Sequence, residues 1–224
     1  MRRSQINKII QDAEAFFARH QFLLPPWAFW SPADWKDRYD SCREVVDNML
    51  GWDVTPFSSD NFYTRGLLAF TIRNGNPKHD KKPYGEKILI VEENQETPFH
   101  FHWSKMEDII NRGGGNLVLE LFASTESEEF SNDGVNVQID GVTRTVGPGD
   151  KVVLTPGESI CLYQGLYHRF YGEPGSGKVL VGEVSSVNDD TIDNRWKEDL
   201  GRFPGIDDDV EPVRLLAVDY RDYL

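Results

Sequence analysis

From Gly66 to about Ser185 the chain is a succession of short runs rich in β-branched and aromatic residues, each closed by a turn signal. The runs are Leu67–Ile72, Lys87–Glu92, Pro98–Trp103, Leu117–Phe122, Val135–Ile139, Val142–Val146, Lys151–Leu154, Ser159–Leu162, Tyr167–Tyr171 and Val179–Val184. Between them stand Asn74-Gly75, Gly113-Gly114-Gly115, Asn132-Asp133-Gly134, Asp140-Gly141, Gly147-Pro148-Gly149-Asp150, Pro156-Gly157 and Pro174-Gly175-Ser176-Gly177. Closely spaced strands separated by tight turns pair antiparallel, so the pattern predicts an all-β sandwich or jelly-roll β-barrel.

The flanks read differently. Ile6, Ile9, Ile10, Ala13, Phe16 and Phe17 recur at helical spacing, predicting an amphipathic helix over 5–19 with Ser4 as its N-cap. Leu23-Leu24-Pro25-Pro26-Trp27 is an extended connector. Ser31-Pro32 marks a second helix start, and a further helix over about Asp40–Leu50 stops at Gly51. The expected organisation is an N-terminal helical arm over 1–65, a barrel over 66–185 and an irregular or partly helical C-terminal extension over 186–224, forming one structural domain. Trp27, Trp30 and Trp35 are expected to pack the arm onto the barrel, and Ser124–Asp133 to be an exposed loop.

Composition excludes several function classes. Hydrophobic content of 39% with 12% aromatic residues is too high for a disordered chain. The formal charge of −13 disfavours nucleic acid and anionic membranes, which need a basic face. No apolar run reaches membrane-spanning length, and the N-terminal segment lacks the apolar stretch of a signal peptide. Two cysteines, Cys42 and Cys161, give no disulfide framework, which fits a reduced, cytoplasmic setting.

Chemistry concentrates in Pro98-Phe99-His100-Phe101-His102-Trp103-Ser104-Lys105-Met106-Glu107. On a strand His100 and His102 share a face, about 7 Å apart along it, so both imidazoles can converge on one ion. Glu107 reaches the same ion if Ser104-Lys105-Met106 turns the chain back. His168, in Gly165-Leu166-Tyr167-His168, begins another strand. Three imidazoles and a carboxylate leave a six-coordinate divalent ion with two open positions. Nitrogen and oxygen donors without thiolate suit manganese, iron, cobalt, nickel or zinc. Of five histidines, this leaves His20 and His79 for the surface.

These residues resemble the two cupin motifs: His100-x-His102 with Glu107 and Gly114 the first, Gly149-Asp150 through Pro156 to Gly165-x-x-His168 the second. The proline spacing of the second departs from the common form. Longer strings narrow the match. Thr97-Pro98-Phe99-His100-Phe101-His102-Trp103, Glu107-Asp108-Ile109-Ile110-Asn111-Arg112-Gly113-Gly114-Gly115-Asn116, Pro156-Gly157-Glu158-Ser159-Ile160-Cys161-Leu162 and Val181-Gly182-Glu183-Val184-Ser185-Ser186-Val187-Asn188-Asp189-Asp190 closely resemble the D-lyxose ketol-isomerases. The resemblance also takes in Leu24-Pro25-Pro26 and Gly51-Trp52-Asp53-Val54-Thr55. It implies a cupin jelly roll holding Mn(II) through His100, His102, Glu107 and His168. It further implies a homodimer or larger oligomer, most simply a homodimer, that interconverts D-lyxose and D-xylulose, and D-mannose and D-fructose, all small neutral sugars.

Aldose–ketose isomerisation moves a hydrogen between C2 and C1, either as a proton through a metal-bound cis-enediolate or as a hydride. The proton route needs a carboxylate base. Glu183, ending the apolar run Val179-Leu180-Val181-Gly182, is the candidate. Lys105, between the expected ligands, is placed to polarise or protonate sugar oxygens. Lys87 and Asp193 are candidates for holding sugar hydroxyls. An Fe(II)-dependent cupin oxygenase and a non-catalytic metal- or sugar-binding cupin are the competing readings.

Overall fold

The protein was analysed as a computed structural model that describes residues 1–78 and 80–224. His79, expected at the surface, lies outside the described residues. Among the described residues thirteen strands form two sheets, and every strand pair in them is antiparallel. In chain order they are β1 Gly51–Thr55, β2 Leu67–Arg73, β3 Tyr84–Val91, β4 Thr97–Phe101, β5 Glu107–Gly114, β6 Leu117–Ala123, β7 Val135–Ile139, β8 Val142–Val146, β9 Lys151–Leu154, β10 Ser159–Leu162, β11 Leu166–Gly172, β12 Val179–Ser186 and β13 Arg195–Trp196. The larger sheet runs β1-β2-β3-β12-β5-β10-β7-β8 and the smaller β13-β4-β11-β6-β9. Packed face to face, they make the expected jelly roll.

The main core fills the space between the sheets. Leu89, Ile109, Ile139, Ile160 and Val181 from the larger sheet meet Leu119, Leu121, Leu154 and Phe170 from the smaller. A second core covers the outer face of the larger sheet. There Ile6, Ile10, Ala13 and Phe17 of helix α1 (Arg3–Arg19) pack on Leu68, Phe70, Ile88, Ile90 and Leu180. Residues of opposite parity on β2, β3 and β12 thus point to different cores, which explains why these strands are apolar at nearly every position.

Several expectations were changed. The stretch 1–65 is not wholly helical, because β1 joins the larger sheet beside β2. The segment expected to be one helix over Asp40–Leu50 holds only a short helix, Arg43–Asp47, after a 3₁₀ turn at Tyr39–Ser41. Ser4 is not the cap of α1, which begins at Arg3. Instead Asp209, from the far end of the chain, accepts the Ser4 backbone N–H at 2.9 Å and its hydroxyl at 2.6 Å. A carboxylate there satisfies orphan donors and complements the helix dipole. Trp27 stacks on Phe70 of β2, packing the arm onto the barrel as expected, while Trp30 and Trp35 pack around Leu215 and Tyr220 of the C-terminal extension, where the short helix Pro32–Trp35 starts at Ser31 as expected. The Ser124–Asp133 loop is largely exposed, as expected, and is anchored by Phe130, which stacks on Phe122 with ring centres 4.2 Å apart. His20 is half-buried against the Phe16 ring instead of lying free on the surface.

Candidate metal centre and active site

His100 and His168 face one another across the β4–β11 pair, and their rings lie 4.2 Å apart. His102 follows at the end of β4, and one nitrogen from each of the three imidazoles lies within 4.8 Å of the others. All three are buried. Their Nδ1 atoms contact backbone carbonyls, which only accept. His100 donates to Pro98 O at 2.8 Å, His102 to Asp193 O at 2.8 Å and His168 to Leu166 O at 3.0 Å. This fixes each ring as the tautomer with a bare Nε2. The Nε2 atoms of His102 and His168 are buried without a hydrogen-bond partner among the described residues. Orphaned nitrogens aimed at one point, each oriented by a second hydrogen bond, are the arrangement that a metal ion completes.

The chain between His102 and Glu107 turns as the sequence required, and Glu107 opens β5 facing inward. Its Oε1 lies 3.4 Å from His102 Nε2 and 3.1 Å from His168 Nε2. Burial opposes charge on Glu107, but the adjoining Lys105 ammonium and the His102 ring outweigh it and hold the carboxyl well below the usual carboxylate range. Burial, aided by His168 and His102, holds His100 well below the ordinary imidazole range. Neutral imidazoles and an ionised carboxylate are the states a divalent ion requires. The four residues therefore fit such an ion.

Lys105 and Lys87 both point into this space. Lys105 Nζ lies 2.6 Å from Glu107 Oε2 and donates to Glu183 Oε1 at 3.0 Å. Burial disfavours its charge, yet Glu107 and Glu183 more than compensate and raise its pKa, so it stays an ammonium. Lys87 is the direct cross-strand partner of Glu183, with Nζ 3.6 Å from Glu183 Oε1 and 3.3 Å from Asp190 Oδ2. Glu183 is buried among cations rather than in apolar surroundings. Asp193 is placed otherwise than on the sugar rim. Its two carboxylate oxygens accept the backbone N–H groups of Ser104 and Lys105 at 2.8 Å each, while its carbonyl holds His102. It fixes the turn that carries Lys105.

Two residues that sequence reasoning did not assign complete the charge network. Arg202 reaches in from the C-terminal extension, pairs with Asp53 on β1 and lies 3.0 Å from Asp190. Burial opposes charge on Asp190, but Lys87 and then Arg202 hold its carboxyl well below the usual range. Lys87, Lys105 and Arg202 thus face Glu107, Glu183, Asp190 and Asp53, one carboxylate in excess, a surplus that a cation at the histidines would offset. Neither Arg202 nor Asp190 sits in a periodic segment, so no local pattern marks them. Trp196, left unassigned from sequence, lies against His100 with ring centres 4.6 Å apart. Lys87, His100, His102, Lys105, Glu107, Glu183, Asp190, Trp196 and Arg202 line one cleft, bounded also by Phe57, Leu67, Leu89, Thr97 and Phe170. Trp27, Trp30 and Trp35 do not line it.

Comparison with known proteins agrees with this geometry. The chain is 49% identical to a D-lyxose/D-mannose isomerase of Serratia proteamaculans and 49% identical to one of Escherichia coli O157:H7, in each case over the full length of both chains. Among solved structures, L-ribose isomerase of Cellulomonas parahominis superposes with a TM-score of 0.62 at 13% identity, covering 92% of this chain and 98% of that one. L-Ribose isomerase of Geodermatophilus obscurus gives 0.62 at 14% identity over the same shares. At such identities these two establish the fold alone. A family model described as D-lyxose isomerase matches residues 1–220. With that match spanning nearly every residue and full-length relatives at nearly half identity, the chain belongs to the D-lyxose isomerase family.

Proposed function

We propose that this protein is a metal-dependent aldose–ketose isomerase interconverting D-lyxose and D-xylulose, and D-mannose and D-fructose. The observation that carries the reading is the juxtaposition of three imidazoles with bare Nε2 atoms and a buried carboxylate, Glu183, held between two lysines. His100, His102, Glu107 and His168 would hold the ion, of which Mn(II) is the expected species, and its chemistry when bound would be Lewis-acid polarisation of sugar oxygens.

The chain's own residues do the rest. Glu183 takes the C2 proton, leaving a cis-enediolate, and delivers a proton to C1, while the O2 hydroxyl proton passes to O1. Lys105, donating to the same carboxylate, stays charged and stabilises negative charge growing on the neighbouring sugar oxygen. Lys87 pairs with Glu183 and Asp190, holding the base in position and offering a donor to sugar hydroxyls. Asp193 keeps Lys105 and His102 in register. The walls exclude bulk water, which strengthens each of these interactions.

A neutral sugar needs no basic entrance, consistent with the −13 charge. No described helix is long and apolar enough to cross a membrane. Unpaired Cys42 and Cys161 support a cytoplasmic setting, and the family resemblance supports a homodimer, which sedimentation would check.

The decisive experiment strips the protein with a chelator, refills it with Mn, Co, Fe, Ni or Zn in turn, and follows ketose formation. Turnover of D-lyxose and D-mannose restored by metal is expected; none with any metal overturns the proposal. Product formed in D₂O should carry solvent deuterium at C1. Transfer without exchange would count against Glu183 as the base.

A further inference from the structure

Besides the two histidine nitrogens, one other side-chain atom is buried without a hydrogen-bond partner among the described residues: Thr97 Oγ1. Thr97 is 2% exposed and lines the same cleft. A buried hydroxyl left unpaired carries its full desolvation penalty, and folded proteins seldom tolerate one without cause. Valine has the same shape and suits a strand as well. The two other orphaned atoms are those that await a ligand.

Strand parity places Thr97 with Phe99 and Phe101, facing away from His100 and His102. A bulge reverses this. On β11 one residue separates His168 from Phe170, whereas two separate their partners, His100 and Thr97, on β4. The extra residue lies around Pro98, whose missing N–H is harmless at a bulge and whose carbonyl holds the His100 ring. As the cross-strand partner of Phe170, which faces the main core, Thr97 turns inward. It sits about 7 Å from the histidine row, the rise of two strand residues. That matches the reach of an extended sugar from its C1–C2 end to its distal hydroxyls. Phe57, Leu67, Leu89 and Phe170, which share the lining, are apolar.

We propose that Thr97 Oγ1 receives a distal hydroxyl of the sugar, at C4 or beyond, and so selects among sugars by chain length and configuration there. This rests on the isomerase reading for the identity of the ligand. No covalent step is involved.

The test compares Thr97→Val and Thr97→Ser with the parent in the metal-loaded protein. Thr97→Val is expected to lower kcat/KM for D-lyxose by about 5- to 30-fold, the worth of one buried hydrogen bond lost. Thr97→Ser should stay within about 3-fold. On a deoxy sugar lacking the hydroxyl concerned, the Val variant and the parent should be equal. Melting of the sugar-free Val variant should not fall, because an unpaired hydroxyl is removed. Calorimetric binding of D-lyxose and of the corresponding polyol separates the two proposals. Thr97-dependent binding without turnover would leave Thr97 its role and remove the isomerase reading. Equal kinetics and binding for Val and Thr on every sugar, or no sugar binding at all, overturns the proposal, as does a lowered melting point with unchanged sugar handling.

Discussion

Replacing Lys105 by Met should reverse the pH dependence of stability in the metal-free protein. The Lys105 side chain is 3% exposed, with Nζ 2.6 Å from Glu107 and 3.0 Å from Glu183. Removing one member of a buried charge cluster strands the others, at a cost of about 3–5 kcal/mol. For a chain of this length that lowers Tm by roughly 6–20 °C. The sign with pH follows from which groups must then protonate. In the parent, Glu107 is held well below its unfolded value, so its contribution is complete above the unfolded carboxylate range and is lost only as pH falls through the low folded value. In the variant Glu107 loses its lysine and Glu183 keeps only Lys87, at 3.6 Å. The folded state then binds a proton, on a carboxyl or a flanking imidazole, that the unfolded chain lacks at neutral pH. A folded pKa raised in this way gives stability that is present at low pH and lost as pH rises, by up to about 1.4 kcal/mol per pH unit for each proton. Urea unfolding in chelator, between about pH 5 and pH 8, should show a deficit that widens upward. A loss below about 1 kcal/mol, or one equal at both ends, would refute the view of Lys105 as the counter-ion of this cluster.

Other substitutions address separate links. Glu183→Gln should cut kcat by about 10²- to 10⁴-fold while Mn(II) affinity, measured calorimetrically, stays near the parent's; a change in KM alone would remove Glu183 as the base. Arg3 holds Asp219 through two hydrogen bonds of 2.8 and 2.9 Å and also contacts Asp208, so Arg3→Met should cost about 3–5 kcal/mol in denaturant unfolding. A loss under about 1 kcal/mol would show that this clasp between the chain's ends is dispensable. Burial, and then Asp108, push the Cys161 thiol up to about 11. Its alkylation near pH 8 should therefore run roughly two orders of magnitude slower than that of a free thiol, and rapid labelling would contradict the placement.

Most of the fold was legible because it is written in local patterns. Val135–Ile139, Val142–Val146, Lys151–Leu154 and Ser159–Leu162 form strands over the limits their composition and turns predict. β1 and β5 were not foreseen. β1 follows a helical stretch and borrows its stability from β2, and β5 carries Glu, Asp, Asn, Arg and two glycines. On β5 only Glu107, Ile109 and Asn111 face inward, and Asn111 is there for its amide, which donates to Gly115 O and Leu154 O. The direction of Lys87 was undecidable from β3 because that strand is apolar on both faces; the covering helix α1 settles it. Asp193 reads as a free rim carboxylate until the turn at Ser104-Lys105 is seen folded onto it.

By itself the sequence determined the jelly-roll class, most of the strands and the cluster of three histidines. Side-chain period, turn residues and the spacing of His100, His102 and Glu107 are properties of neighbouring positions. Tertiary structure alone decided how distant groups meet. It brought Arg202 to Asp53 and Asp190, placed Glu183 between two ammonium groups, let Asp209 cap a helix near the other end of the chain, and turned Thr97 inward through one extra residue at Pro98. These depend on long-range packing and register, where a single inserted residue exchanges inside for outside and no local pattern records the exchange.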